Sequence, residues 1–229
     1  MKVFDIENPV WSTFSKILDI MILNVLFLLC CVPVVTISTS FTALYFTAMR
    51  VVSGNVTYVS RDFWNSFKSN FKQAFVTGVI VFDAGVILAV GTYLSFISNA
   101  YVGKVFFVAL DVLFAAVVSY VFPSLAKFEC STGKLFYNSV VMAFVHIPFT
   151  ILNLGIFFLV GIFAYMNLAV RLLMLVCGFA VIALLQSLWF NYIFEKYMTK
   201  EELELNQTFR TEEKMAAREK KENEKKIRR

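Results

Sequence analysis

One histidine, four cysteines, four prolines and nine glycines are all that 229 residues contain, and only 16% of them are charged. Each scarcity excludes something. A single histidine with no Cys/His spacing leaves no zinc ligand set, and four cysteines without a framework suggest no disulfide scaffold. Cys30, Cys31 and Cys177 lie in apolar runs and Cys130 in a short polar stretch, so packing is their expected role. There is no nucleophile elbow, dinucleotide fingerprint or metalloprotease helix, and Gly133-Lys134 lacks the rest of a phosphate loop. Neither catalysis nor a cofactor or metal is expected. Sparse glycine implies fewer close helix contacts than many membrane spans use. The first residues, Met1 to Pro9, are acidic, and no Ala-x-Ala pattern follows the first apolar run, so no cleaved signal peptide is expected.

What the chain has is apolar mass. Its 59% apolar share, with 26 phenylalanines, lies above the roughly one half of soluble domains, and its charged share lies below their quarter or so. The reading is an all-α polytopic membrane helix bundle of about five spans, each near the ~20 residues a bilayer requires. The spans are expected at residues 17–37, 75–97, 102–122, 139–163 and 168–194, the third ending at Pro123. Residues 41–52, capped by Ser38 or Thr39, are too few to cross comfortably and read as interfacial or re-entrant. Residues 1–16 suit an interfacial segment with Trp11 at headgroup level. Residues 1–195 form the transmembrane domain. Composition breaks there, and 196–229 read as a charged, partly helical cytoplasmic tail, with Thr199 and Glu202 spaced as a capping box.

Charge sets the expected sidedness. Residues 195–229 hold eleven of the 21 Lys/Arg and nine of the 16 Asp/Glu, leaving +3 for the rest. Four cations fall in residues 42–74 and two in 124–138, so these loops and the tail are expected in the cytoplasm and the N-terminus outside. If residues 41–52 crossed, the N-terminus would move inside. The tail alternates sign without interleaved aromatics, which disfavours nucleic acid and favours the lipid bilayer as partner.

Two groups of residues stand out. Residues 61–73 read as a basic amphipathic helix, with Phe63, Phe67, Phe71 and Phe75 on one stripe and Arg61, Asn65, Lys68 and Lys72 on another. Arg61, Phe63, Trp64, Phe67, Lys68, Asn70, Phe71 and Gln73 are the candidate docking residues. Asp19, Asn24, Asp83, Asp111, His146 and Asn153 are polar positions inside apolar runs, each a functional candidate because burial in lipid is costly. Asp83 and Asp111 fall near mid-depth, where they and His146 could form a proton-linked relay or instead bond to neighbouring helices. Pro148 predicts a kink beside His146.

Asp19, Leu23-Asn24, Leu28-Leu29-Cys30, Pro33, Thr36-Ile37, Thr42-Ala43-Leu44-Tyr45, Arg61, Phe63, Phe67, Asn70-Phe71 and Gln73 together resemble the YesL family. These are bacterial integral membrane proteins built on a domain of unknown function. Ser38 departs from the pattern, standing where relatives frequently have glycine. The resemblance implies a plasma-membrane protein of chiefly Gram-positive bacteria, often encoded beside polysaccharide-use operons and sugar ABC importers. The expectation is a non-catalytic accessory subunit of a carbohydrate ABC importer, contacting permease subunits and a solute-binding protein. The alternatives are a small proton-linked transporter or a membrane scaffold.

Overall fold

The computed structural model describes residues 9–54, 58–98, 101–128 and 130–197, with side chains from residue 17 onward. The Trp11 side chain and residues 198–229 of the tail, including Thr199 and Glu202, lie outside what is described. Proline at the first helical position costs nothing, since its missing N–H is an orphan there anyway, and Pro9 opens α1 (Pro9–Cys31). Pro33 precedes a single 3-10 turn, Val34–Thr36, and α2 then runs Ile37–Val52. The Thr36 hydroxyl reaches back to the Cys30 and Pro33 carbonyls, at 2.5 and 2.7 Å, and closes the bend. After a turn whose Gly54 has a φ of +70°, α3 (Val59–Ile97) pairs back on α2 and α4 (Tyr101–Lys127) returns along α3. The rest is α5 (Thr132–Val145), α6 (Ile147–Met166), α7 (Leu168–Leu173), a π turn (Met174–Gly178) and α8 (Phe179–Tyr197).

The molecule is thus an all-α membrane bundle, with five helical stretches among the described residues long and apolar enough to cross. They are not the expected five. Val34–Val52 qualifies, whereas the apolar part of α1, Ile17–Cys31, is shorter. Residues 41–52 are therefore not a marginal surface piece: ten of the 16 residues of α2 are buried, and it packs on α1, α3, α4 and α8. Its buried face is Ser38, Thr39, Ser40, Thr42, Ala43, Thr47 and Ala48 together with Leu44, Tyr45 and Met49. Small side chains let neighbouring backbones approach. Three of their hydroxyls turn onto the preceding turn, Ser40 to Thr36 (2.8 Å), Thr42 to Ser38 (3.0 Å) and Thr47 to Ala43 (2.9 Å), so these three need no partner elsewhere, whereas the buried Thr39 hydroxyl has none among the described residues. Serine, threonine and alanine supply the close contacts that scarce glycine does not. Two glycines of α3 are exceptions: a Cβ at Gly78 would collide with the Ser38 side chain on α2, and one at Gly91 with the Phe107 ring on α4.

Three more boundaries differ from expectation. The 61–73 segment and the following span are one 39-residue helix, about 58 Å long against a ~30 Å hydrocarbon layer. α4 passes through Pro123 to Lys127; the lost hydrogen bond costs roughly 3 kcal/mol, and burial of Pro123, Ser124, Leu125 and Ala126 offsets it. The expected 139–163 span instead breaks at His146, whose φ of −108° and ψ of 47° leave the helix; Pro148 then sits in the first turn of α6 and the spanning stretch is Ile147–Met166.

Aromatic rings fill the centre. Phe27 meets Phe41 at 4.9 Å and Phe179 at 5.3 Å, while Phe190 meets Tyr120 and Phe194 at 5.5 Å and Tyr45 at 5.9 Å.

Candidate functional site

In the first half of α3 the inward positions are Val59, Phe63, Ser66, Ala74 and Thr77, a helical stripe against α2 and α4. Two ties fix the segment. Asp62 Oδ2 and Arg50 Nε form an ion pair at 3.3 Å, joining the start of α3 to the end of α2, and Gln73 Nε2 donates to the Cys130 carbonyl at 2.6 Å, joining α3 to the turn before α5. Arg50 also lies over the Phe46 ring at 5.7 Å. Asn70 donates to the Ser66 carbonyl at 3.1 Å. Burial pushes the Cys130 thiol up, with Lys134 opposing, so the thiol stays protonated rather than nucleophilic.

The phenylalanines do not share one face. A four-residue step on an α-helix overshoots a full turn by about 40°, so the series winds around α3. Phe63 is wholly buried, Phe67 half-buried, and Phe71 and Phe75 exposed. Their rings form a ladder from core to surface, Phe63 to Phe67 at 6.2 Å and Phe67 to Phe71 at 5.9 Å, with Trp64 edge-on to Phe67 at 5.5 Å. The eight docking candidates therefore divide. Phe63 and Gln73 hold the helix in place, Phe67 is half-buried between core and surface, Asn70 bonds back to Ser66 within α3, and Arg61, Trp64, Lys68 and Phe71, with Asn65 and Lys72, face outward. Between residues 59 and 75 the single acid is Asp62, and it is paired. What remains is a basic and aromatic strip on a rigid support.

The intramembrane candidates are not gathered into a relay. Asp111 Oδ2 accepts from the Thr92 hydroxyl of α3 at 2.6 Å. Asp83 is exposed, nine residues or about 14 Å along α3 from Thr92. His146 Nε2 and the Tyr197 hydroxyl lie 3.0 Å apart, at the junction of α5 and α6 and the end of α8. Burial, helped by Lys196, lowers the His146 pKa below its ordinary value. Asp19 is exposed. Asn153, wholly buried, accepts from Trp189 Nε1 at 3.1 Å and ties α6 to α8.

Asn24 does something the sequence did not announce. Its amide nitrogen donates to the carbonyls of Met174 (3.2 Å) and Leu175 (2.8 Å), and its oxygen accepts from the Ala180 N–H (3.0 Å). The π turn takes those backbone groups off the regular ladder, and one buried amide from α1 serves all of them. Two further side-chain pairs were missed: the Tyr45 hydroxyl to Gln186 Oε1 at 2.5 Å, and Asn191 Nδ2 to the Met49 carbonyl at 3.0 Å. Neither is visible in a local window, because the partners lie some 140 residues apart.

Residues 20–92 match the model of DUF624, a protein family of unknown function. The match covers most of α1, α2 and α3 up to Thr92, so it contains Asn24, the Ser/Thr/Ala face and the basic strip. No curated protein and no solved structure matches the chain.

Proposed function

We propose that this chain is a YesL-like, non-catalytic membrane accessory subunit of a carbohydrate ABC import system of a Gram-positive plasma membrane, docking on permease subunits and a solute-binding protein. One observation carries the docking: Arg61, Trp64, Lys68 and Phe71 stand outward on a helix that Phe63, Gln73 and the Arg50–Asp62 pair hold rigid. Aromatic and arginine side chains on a preorganised support are what interface centres use. The basic strip belongs in the cytoplasm on this reading, where excess Lys/Arg is retained. The importer context comes from the family resemblance and not from geometry. The test is co-purification in mild detergent with the permease and binding protein of a neighbouring importer. Wild type is expected to retain them and the Trp64→Ala, Phe71→Ala double variant to lose them; an intact wild-type protein that never retains either overturns the reading.

A further inference from the structure

Between α2, α6, the π turn and α8 lies a half-open cavity of about 410 Å³. Its walls are apolar, Phe41, Leu44, Phe157 and Leu175 among them, and Arg171 at the start of α7 is the one charged residue lining it. No carboxylate among the described residues pairs with that guanidinium. The π turn shapes one wall: Met174 and Leu175 both face the cavity, and Asn24 holds their carbonyls from the other side. Helices carry π turns chiefly at functional places, because the wider turn costs regular hydrogen bonding. Here the turn is kept by a dedicated buried side chain.

We infer that this cavity binds one anionic phospholipid from the surrounding bilayer, an acyl chain lying against the π turn and its phosphate held by Arg171. Three features select that occupant. The volume falls in the range of small-ligand sites. The walls accept a chain and offer little to a polar solute. The single cation stands at a span terminus, where a guanidinium meets phosphate with charge-assisted bonds and where apolar stems snorkel to the headgroups. A neutral lipid satisfies the walls but leaves Arg171 with less.

Gly161 makes the test clean. It lines the cavity, and a Cβ added there meets nothing, as is also true of Gly155 on the same helix, which does not line it. The full chain is reconstituted in nanodiscs containing equal phosphatidylglycerol and phosphatidylcholine, extracted in mild detergent, and weighed by native mass spectrometry, with melting curves confirming fold. Wild type is expected to retain one phosphatidylglycerol per chain. Arg171→Gln is expected to retain about tenfold less, the loss of one charge-assisted contact. Gly161→Phe and Ala164→Phe are expected to retain none, and Gly155→Phe to match wild type. Equal retention of phosphatidylcholine by wild type, or unchanged retention by folded Gly161→Phe and Ala164→Phe, overturns the proposal. So does displacement of the phospholipid by stoichiometric dodecyl phosphate, which would make the ligand a free amphiphile.

Discussion

Replacing Asn24 with leucine removes three hydrogen bonds while nearly conserving volume. The side chain is wholly buried, and its bonds to Met174, Leu175 and Ala180 run from 2.8 to 3.2 Å. A net value near 1 kcal/mol per bond gives about 3 kcal/mol. Bonds between membrane helices average nearer 0.6 kcal/mol, which lowers the figure to about 2. The π turn has no second side chain to fall back on among the described contacts, so the loss should persist after relaxation. Equilibrium unfolding in mixed detergent micelles, with the Asn24→Leu variant against wild type, should show a destabilisation of about 2–3 kcal/mol. Asn24→Asp keeps the acceptor for Ala180 and loses the donor, and should not rescue. A change below about 0.5 kcal/mol, the level of an ordinary surface substitution, would refute the claim that Asn24 maintains the π turn.

Phe63→Ala should cost about 3–5 kcal/mol as a large-to-small core change, whereas Phe71→Ala should leave the melt within about 0.5 kcal/mol, both read by the same unfolding assay. Asp111→Asn and Thr92→Val should be non-additive in a double-mutant cycle, while Asp83→Asn and Asp111→Asn should add within about 0.5 kcal/mol because they share no partner; strong coupling between the two aspartates would restore the relay. Stability should fall as pH drops below about 6.5, the ordinary histidine value, and stay flat above it: the folded chain holds His146 neutral where the unfolded chain takes a proton, so acid favours unfolding. Thermal melts from pH 8 to 5 should show this slope, reduced in His146→Gln.

Four of the five spans, the basic strip and a bend beside His146 were legible because length, charge and proline act locally. α2 was misjudged for the same reason. Its serines and threonines lower its hydropathy, yet Ser40, Thr42 and Thr47 bond back to the preceding turn and the helix packs against four neighbours, which no local window reveals. The stripe of phenylalanines was a true helical spacing read too far, since a drift negligible over one step is large over three. Pro123 read as a stop because tertiary burial, which overrides it, is invisible in sequence. Asn24 was flagged as costly in lipid, but the π turn that gives it meaning lies 150 residues onward.

The central position of α2 also fixes an order of events during synthesis. Its Tyr45 hydroxyl and Met49 carbonyl are matched by Gln186 and Asn191, on the last described helix, 141 and 142 residues later. Until α8 emerges, α2 has its largest neighbour, α3, but lacks the side chains that meet Tyr45 and Met49. α2 then lies beside α3, joined at one end through Arg50 and Asp62, and its packing is complete only with α8, the last described helix, beside it. A chain truncated within α8 would therefore leave the Tyr45 hydroxyl and the Met49 carbonyl without these partners at the centre of the bundle rather than at its edge.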